Sequence, residues 1–168
     1  MAFVQGLVTA KRGTPKLHNQ YNNIMTTKKV KICGVKAILL RYQNMWVYPE
    51  ITWYSSGLGS PVAVILHQWK RRKFLFWKYW LEEIARVTVN IPDERSGAGR
   101  QFIDTNNNGD EIIPWLEENG FGHLTGHRAQ SGYCSYPEFD FYKGEMFHEY
   151  REVSMKIMRK NETSPFDF

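Results

Sequence analysis

Between Met1 and Pro49 the chain has no aspartate and no glutamate. That stretch carries Lys11, Arg12, Lys16, Lys28, Lys29, Lys31, Lys36 and Arg41, a charge of +8; the other 14 of the 22 Lys and Arg meet all 17 acids and net −3. A cationic first third on a mildly acidic body attracts polyanions through steering and counterion release, or else serves as a solvated, solubilising tail. Cysteine is almost as scarce. Cys33 and Cys134 are the only two, and neither belongs to a CxxC or a Cys/His zinc spacing. This excludes a disulfide scaffold and the common structural zinc modules, and reads as two reduced thiols. No apolar run approaches the roughly 18 residues of a membrane span, so the expected location is the cytoplasm, with no membrane partner. A chain of 168 residues can bury roughly two-thirds of its unfolded surface and needs no staple.

Sustained periodicity is also missing from the first 28 residues, which predicts a basic N-terminal arm over 1–28 ahead of a single α+β domain over 29–168. From Lys29 the pattern turns to short β-rich segments: Val30 to Tyr42, Trp46 to Tyr54, Pro61 to Trp69 and Ile84 to Ile91. In the last of these Ala85, Val87, Val89 and Ile91 alternate with Arg86, Thr88 and Asn90, the mark of a strand with one buried face. Strands of this length with turn signals between them predict an antiparallel meander. The stretch "KRRKFLFWKYWLEEI", residues 70–84, fits a helical stripe through Phe74, Trp77, Leu81 and Ile84, but is read as a hairpin tip and strand. A short strand, Gln101 to Asp104, leads to a short helix beginning near Glu111 to Ile113, because Pro114 is tolerated only in a first turn. A loop through "HLTGHRAQSGYCSYP" then precedes a last strand, Glu138 to Tyr142, and a charged helix from about Glu145 to Lys160. The predicted fold class is thus α+β: an antiparallel sheet with a short helix and a C-terminal helix packed on or beside it.

"IDTNNNGDE", residues 103–111, looks like a calcium loop. Counted from Asp104, Asn106, Asn108 and Gly109 occupy the first ligand and turn positions, but the twelfth position, where a bidentate Glu is required, is Trp115. No metal is expected there. Asn-rich runs cap backbone amides and tolerate left-handed conformations, so a strand-to-helix turn suits this one.

Four ordered motifs, "VTVNIPD", "FIDTNNN", "PWLEENGFG" and "TGHRAQSGYCSYPEFDF", together resemble an uncharacterised domain family encoded on bacterial conjugative elements, plasmids and phages. The resemblance covers roughly residues 86–142. It implies an accessory gene of a mobile element and no particular activity. The aromatic and basic segment 69–83 and the basic arm depart from that pattern.

Two constellations carry possible chemistry. His123, His127 and Cys134, with Asp104 to orient a base, contain the parts of a small hydrolase or nuclease, since a neighbouring imidazole can hold a thiolate; a turn that buries Tyr and Cys against the sheet explains the same residues. Lys70, Arg71, Arg72 and Lys73, bracketed by Trp69 and Phe74 and followed by Trp77, combine phosphate-seating cations with stacking aromatics. The same residue types dominate protein interfaces, and aromatics at 15% of the chain also furnish ordinary strand cores. The sequence reading is therefore a non-enzymatic accessory protein of a phage or mobile element, without cofactor or metal. It binds a host protein or ribonucleoprotein complex, such as a CRISPR effector, through Trp69, Lys70, Arg71, Arg72, Lys73 and Trp77, with Lys28, Lys29 and Lys31. Direct binding of RNA or single-stranded DNA through the arm and residues 70–73, and the hydrolase reading, stand as alternatives.

Overall fold

The computed structural model describes residues 27–56, 61–73, 76–91 and 93–163. The expected arm lies outside the described residues except for its end, where Lys28 opens a strand instead of closing an arm. Five antiparallel strands follow in sequence order: β1 (Lys28–Ile32), β2 (Val35–Tyr42), β3 (Met45–Trp53), β4 (Val62–Lys73) and β5 (Trp77–Arg86). The meander is as predicted, with one element more. What reads as one strand from Val30 to Tyr42 is broken by a two-residue turn at Cys33 and Gly34, whose φ angles of 48° and 74° are both left-handed. Gln43 and Asn44, at 43° and 64°, make the next hairpin the same way. Such paired positive-φ turns match the right-handed twist of flanking strands.

At Val87 the chain leaves this sheet. Val87 N–H donates to the Val64 carbonyl at 2.9 Å while its own carbonyl accepts from Asp104 N–H at 2.8 Å, and Thr88 Oγ1 accepts from Val64 N–H at 3.0 Å. The expected strand 84–91 is accordingly split between two sheets. The second sheet has the order β6-β7-β9-β8, from β6 (Thr88–Val89), β7 (Arg100–Ile103), β8 (His123–Ser131) and β9 (Cys134–Asp140). Between β7 and β8 come α1 (Thr105–Asn108) and α2 (Ile112–Glu118). A 3₁₀ turn at Phe141–Lys143 leads into α3 (Glu145–Thr163). The predicted loop at 123–137 is instead the β8–β9 hairpin. Its glycines, which read as loop breakers, sit at the register irregularity between Leu124 and Arg128 and in the turn between Ser131 and Cys134.

β2 pairs with β1 through Val35–Leu39 but with β3 only through Leu40–Tyr42, so the sheet forks. α3 closes the fork. Ser154 Oγ accepts the Ile51 N–H at 3.0 Å and meets the Tyr48 hydroxyl at 2.8 Å, and the Tyr150 hydroxyl donates to the Ile38 carbonyl at 2.8 Å. Helix side chains thereby satisfy buried strand groups, which would otherwise cost about 1–3 kcal/mol each. The buried residues Phe147, Tyr150, Ser154 and Ile157 recur at helical spacing and form the packed stripe of α3. Rings continue the core from sheet to helices: Tyr42 meets Trp115 at 5.2 Å, Trp115 stacks on Phe121 at 5.9 Å, and Phe121 stacks on Tyr150 at 5.5 Å. Much of the aromatic content is therefore core.

Candidate binding groove

The β4–β5 hairpin carries the cations singled out in the sequence. A register shift between Leu66 and His67 precedes them, after which Trp69 pairs with Leu81, Lys70 with Trp80, Arg71 with Tyr79, Arg72 with Lys78 and Lys73 with Trp77. Directly paired residues share a face and neighbours alternate. One face thus carries Trp69, Arg71, Lys73, Tyr79 and Leu81, and the other Lys70, Arg72, Lys78 and Trp80. The run "KRRK" is contiguous in sequence but divided two and two in space. Lys70 is further committed to an ion pair with Glu82. Arg71, Arg72 and Lys73 are exposed at the tip. The side chain of Trp77, like all of Phe74 and Leu75, lies outside the described residues.

Residues from the two ends of the five-stranded sheet line one open groove of about 530 Å³. It is lined by Lys28 and by Val30, Lys31, Ile32 and Cys33 from the β1 end, and by Trp69, Tyr79, Trp80 and Leu81 from the β4–β5 hairpin. Trp69 stacks on Tyr79 with centroids 5.3 Å apart and planes 24° off parallel. Its indole Nε1 is buried without a hydrogen-bond partner. Tyr79 and Trp80 are 44% and 39% exposed, so this wall is apolar surface left open to solvent. Lys28 reaches across the Trp46 ring, 5.9 Å from its centroid, with the Arg41 guanidinium 4.9 Å from the same ring.

The structure therefore gathers Lys28, Lys31 and Trp69 from the predicted set. Lys29 is absent from that lining and belongs to a second depression, which Val30 and Lys31 also line together with Lys36 and Glu149. Tyr79, Trp80 and the apolar side of β1 were missed as site residues. Their signal was the period-2 pattern of "WKYWLEE", visible once that segment is taken as a strand.

The polar constellation of the second sheet is arranged differently. Asp104 caps α1, accepting from the Asn107 main chain at 3.2 Å and from Asn107 Nδ2 at 2.7 Å. Asn108 Nδ2 donates to the carbonyls of Arg86 at 2.7 Å and Asp104 at 2.8 Å. The cap is thus an aspartate, with asparagines bracing it. Cys134 lies opposite Ser131 in the β8–β9 ladder, whereas His127 is four residues further along β8, about 13 Å away at a strand rise of about 3.3 Å per residue. His127 lies near Phe102, with centroids 6.3 Å apart, and His123 is exposed at the start of β8, paired with Asp140. The thiol and imidazole needed by a hydrolase are not brought together. Among the described residues no group of three or more His, Cys, Asp or Glu side chains is placed to hold a metal ion. No helix among them is long and apolar enough to cross a membrane.

Fold and groove define an α+β protein with an open, aromatic, cation-edged groove. The chain belongs to the family described as Domain of unknown function (DUF4313), which matches residues 77–162. No curated protein and no solved structure matches the chain. The family segment is longer than the motif resemblance, starting at Trp77 and running through α3 to Glu162. It takes in the Tyr79–Leu81 wall of the groove, which the sequence reading had assigned to a departure from the family, while β1 and β4 lie outside it.

Proposed function

We propose that this is a non-enzymatic accessory protein of a phage or mobile element, which acts in the bacterial cytoplasm by binding a host macromolecular complex. The kind of complex that suits its charge is one that handles nucleic acid, such as a CRISPR effector, which the protein inhibits by occupation. The observation that carries this reading is the groove itself. Two exposed aromatics, Tyr79 and Trp80, line it together with Lys28 and Lys31, with exposed Arg71, Arg72 and Lys73 at the adjoining hairpin tip. Tyr, Trp and Arg are the residues that dominate protein interface energies, and Tyr79, Trp80, Arg71 and Arg72 supply them here.

The test is capture from bacterial lysate, with and without nuclease, by wild type and by a Tyr79→Ser/Trp80→Ser variant. A nuclease-resistant complex captured by wild type and lost by the variant supports the reading. Equal capture by both sinks it. The stacking surface and tip cations also favour a second reading, direct binding of RNA or single-stranded DNA. In that case nuclease abolishes capture.

A further inference from the structure

β1 and β5 are the two ends of the five-stranded sheet. Each is paired on one side only, β1 with β2 and β5 with β4. The groove is lined by consecutive residues of both, Val30 to Cys33 and Tyr79 to Leu81. Since side chains alternate between faces, consecutive lining residues mean that the strands present their edges to the groove. Natural edge strands are normally shortened, bulged or guarded by charge. β5 is ten residues long and carries four charges, Lys78, Glu82, Glu83 and Arg86, the first two of which flank an uncharged Tyr79-Trp80-Leu81 centre. The irregularity in its pairing with β4 falls at Ile84, between Glu83 and Ala85, and leaves Trp77 to Glu83 in regular register.

Resting on the reading of this groove as the binding surface, we infer that it takes an extended polypeptide strand of the partner, which pairs by main-chain hydrogen bonds with the edges of β1 and β5. A sheet edge offers N–H donors and C=O acceptors alternately. Another polypeptide answers both, whereas a phosphodiester backbone supplies acceptors alone and leaves the edge carbonyls unmatched. Charge selects the kind of strand. β1 brings Lys28 and Lys31 to the groove with no acid of its own, so the incoming segment alternates apolar residues, seated on Trp69 and Leu81, with Asp or Glu.

The experiment is a display selection of random 12-residue peptides on the full-length Cys134→Ser protein, followed by synthesis of the consensus peptide. Expected are peptides alternating apolar with acidic residues. On binding they shield Cys33 from a maleimide and slow amide exchange at 28–33 and 79–81. Lys28→Glu/Lys31→Glu, which changes partly or fully exposed positions, weakens the peptide by roughly tenfold, and Trp69→Phe weakens it while leaving the fold intact. A (dT)12 oligonucleotide is the second arm. The inference is overturned if no peptide is selected, if protection falls outside both edges, or if (dT)12 alone protects them. Loss of lysate capture by the Tyr79→Ser/Trp80→Ser variant alongside a failed peptide selection would remove the strand-pairing inference and leave the proposed interface standing.

Discussion

The four-stranded sheet matches its buried polar groups, while the five-stranded sheet keeps a buried indole donor without a partner beside a pair of half-exposed aromatics on its edge strand β5. In the former, Glu138 and Asp140 are buried on β9. Glu138 accepts from Thr125 Oγ1 at 2.7 Å, Asp140 accepts from Arg100 Nε at 3.4 Å, and buried Gln101 donates to the Val89 carbonyl at 2.7 Å. The connection through Asp104 and Asn108 is equally complete. In the latter, Trp69 Nε1 has no partner and Tyr79 and Trp80 stay half exposed. Buried polar groups that are fully satisfied fix a scaffold. Strand edges and aromatic surface left open are where a partner is bound. The conspicuous motifs thus belong to matched, buried structure, and the binding surface we propose lies in a segment with no motif.

The comparison is broken most severely at Gly122, where φ is +142° and an added Cβ would stand 2.0 Å from the Asp140 carbonyl oxygen. Gly122→Ala should cost about 3 kcal/mol or more in denaturant unfolding, because main chain rather than a flexible side chain blocks it. Partner binding by the remaining folded fraction should be unchanged. Asp104→Ala removes a cap and should cost about 1–2 kcal/mol. Asn108→Val should cost about 1 kcal/mol, whereas Asn106→Val, at an exposed position without a structural bond, should stay within about 0.5 kcal/mol.

Alkaline titration tests the fork. Burial pushes the Tyr48 hydroxyl from 10.0 up to about 12, against a smaller opposing effect of its Ser154 hydrogen bond. Burial also raises Tyr150, helped by the nearby Glu149. A phenol whose folded pKa is raised contributes stability that is fully present below pH 10 and lost as pH rises through 12. Melting temperature should therefore fall in that window, and Tyr48→Phe should flatten the decline. The smallest stability effects belong to the groove. Changing Lys70, Arg71, Arg72 and Lys73 together to Ser should stay within about 1 kcal/mol, and Trp69→Phe should leave the melting temperature unchanged or slightly raised by removing an unmatched buried donor.

The sequence made the meander, α2 and α3 legible because each rests on local signals: period-2 alternation, Pro114 confined to a first turn, and the helical recurrence of apolar positions after Glu145. The β1–β2 turn was hidden because Cys33-Gly34 lacks the Asn-Gly or Asp-Gly signature, and only Gly marks the left-handed backbone there. The β8–β9 hairpin was hidden because Gly126 and Gly132 read as breaks, when one accompanies a register irregularity and the other a tight turn. The transfer of the chain between sheets at Val87 depends on hydrogen bonds to Val64 and Asp104, partners 23 and 17 residues away, which no local pattern encodes. The groove was half legible. Its cations and Trp69 stand out in composition, but that β1 and β5 line one groove is a property of the whole sheet rather than of any single segment.

The central claim, that the edges of the five-stranded sheet bind while the motif-rich sheet supports, is tested most directly by quantifying partner capture from lysate. Two variants of equal melting temperature serve: Tyr79→Ser/Trp80→Ser in the groove and His127→Ala/Cys134→Ser on the second sheet. The account predicts that capture is lost by the groove variant and retained by the other. Retention by the groove variant together with loss by His127→Ala/Cys134→Ser would contradict it, and would move the functional surface to β8 and β9.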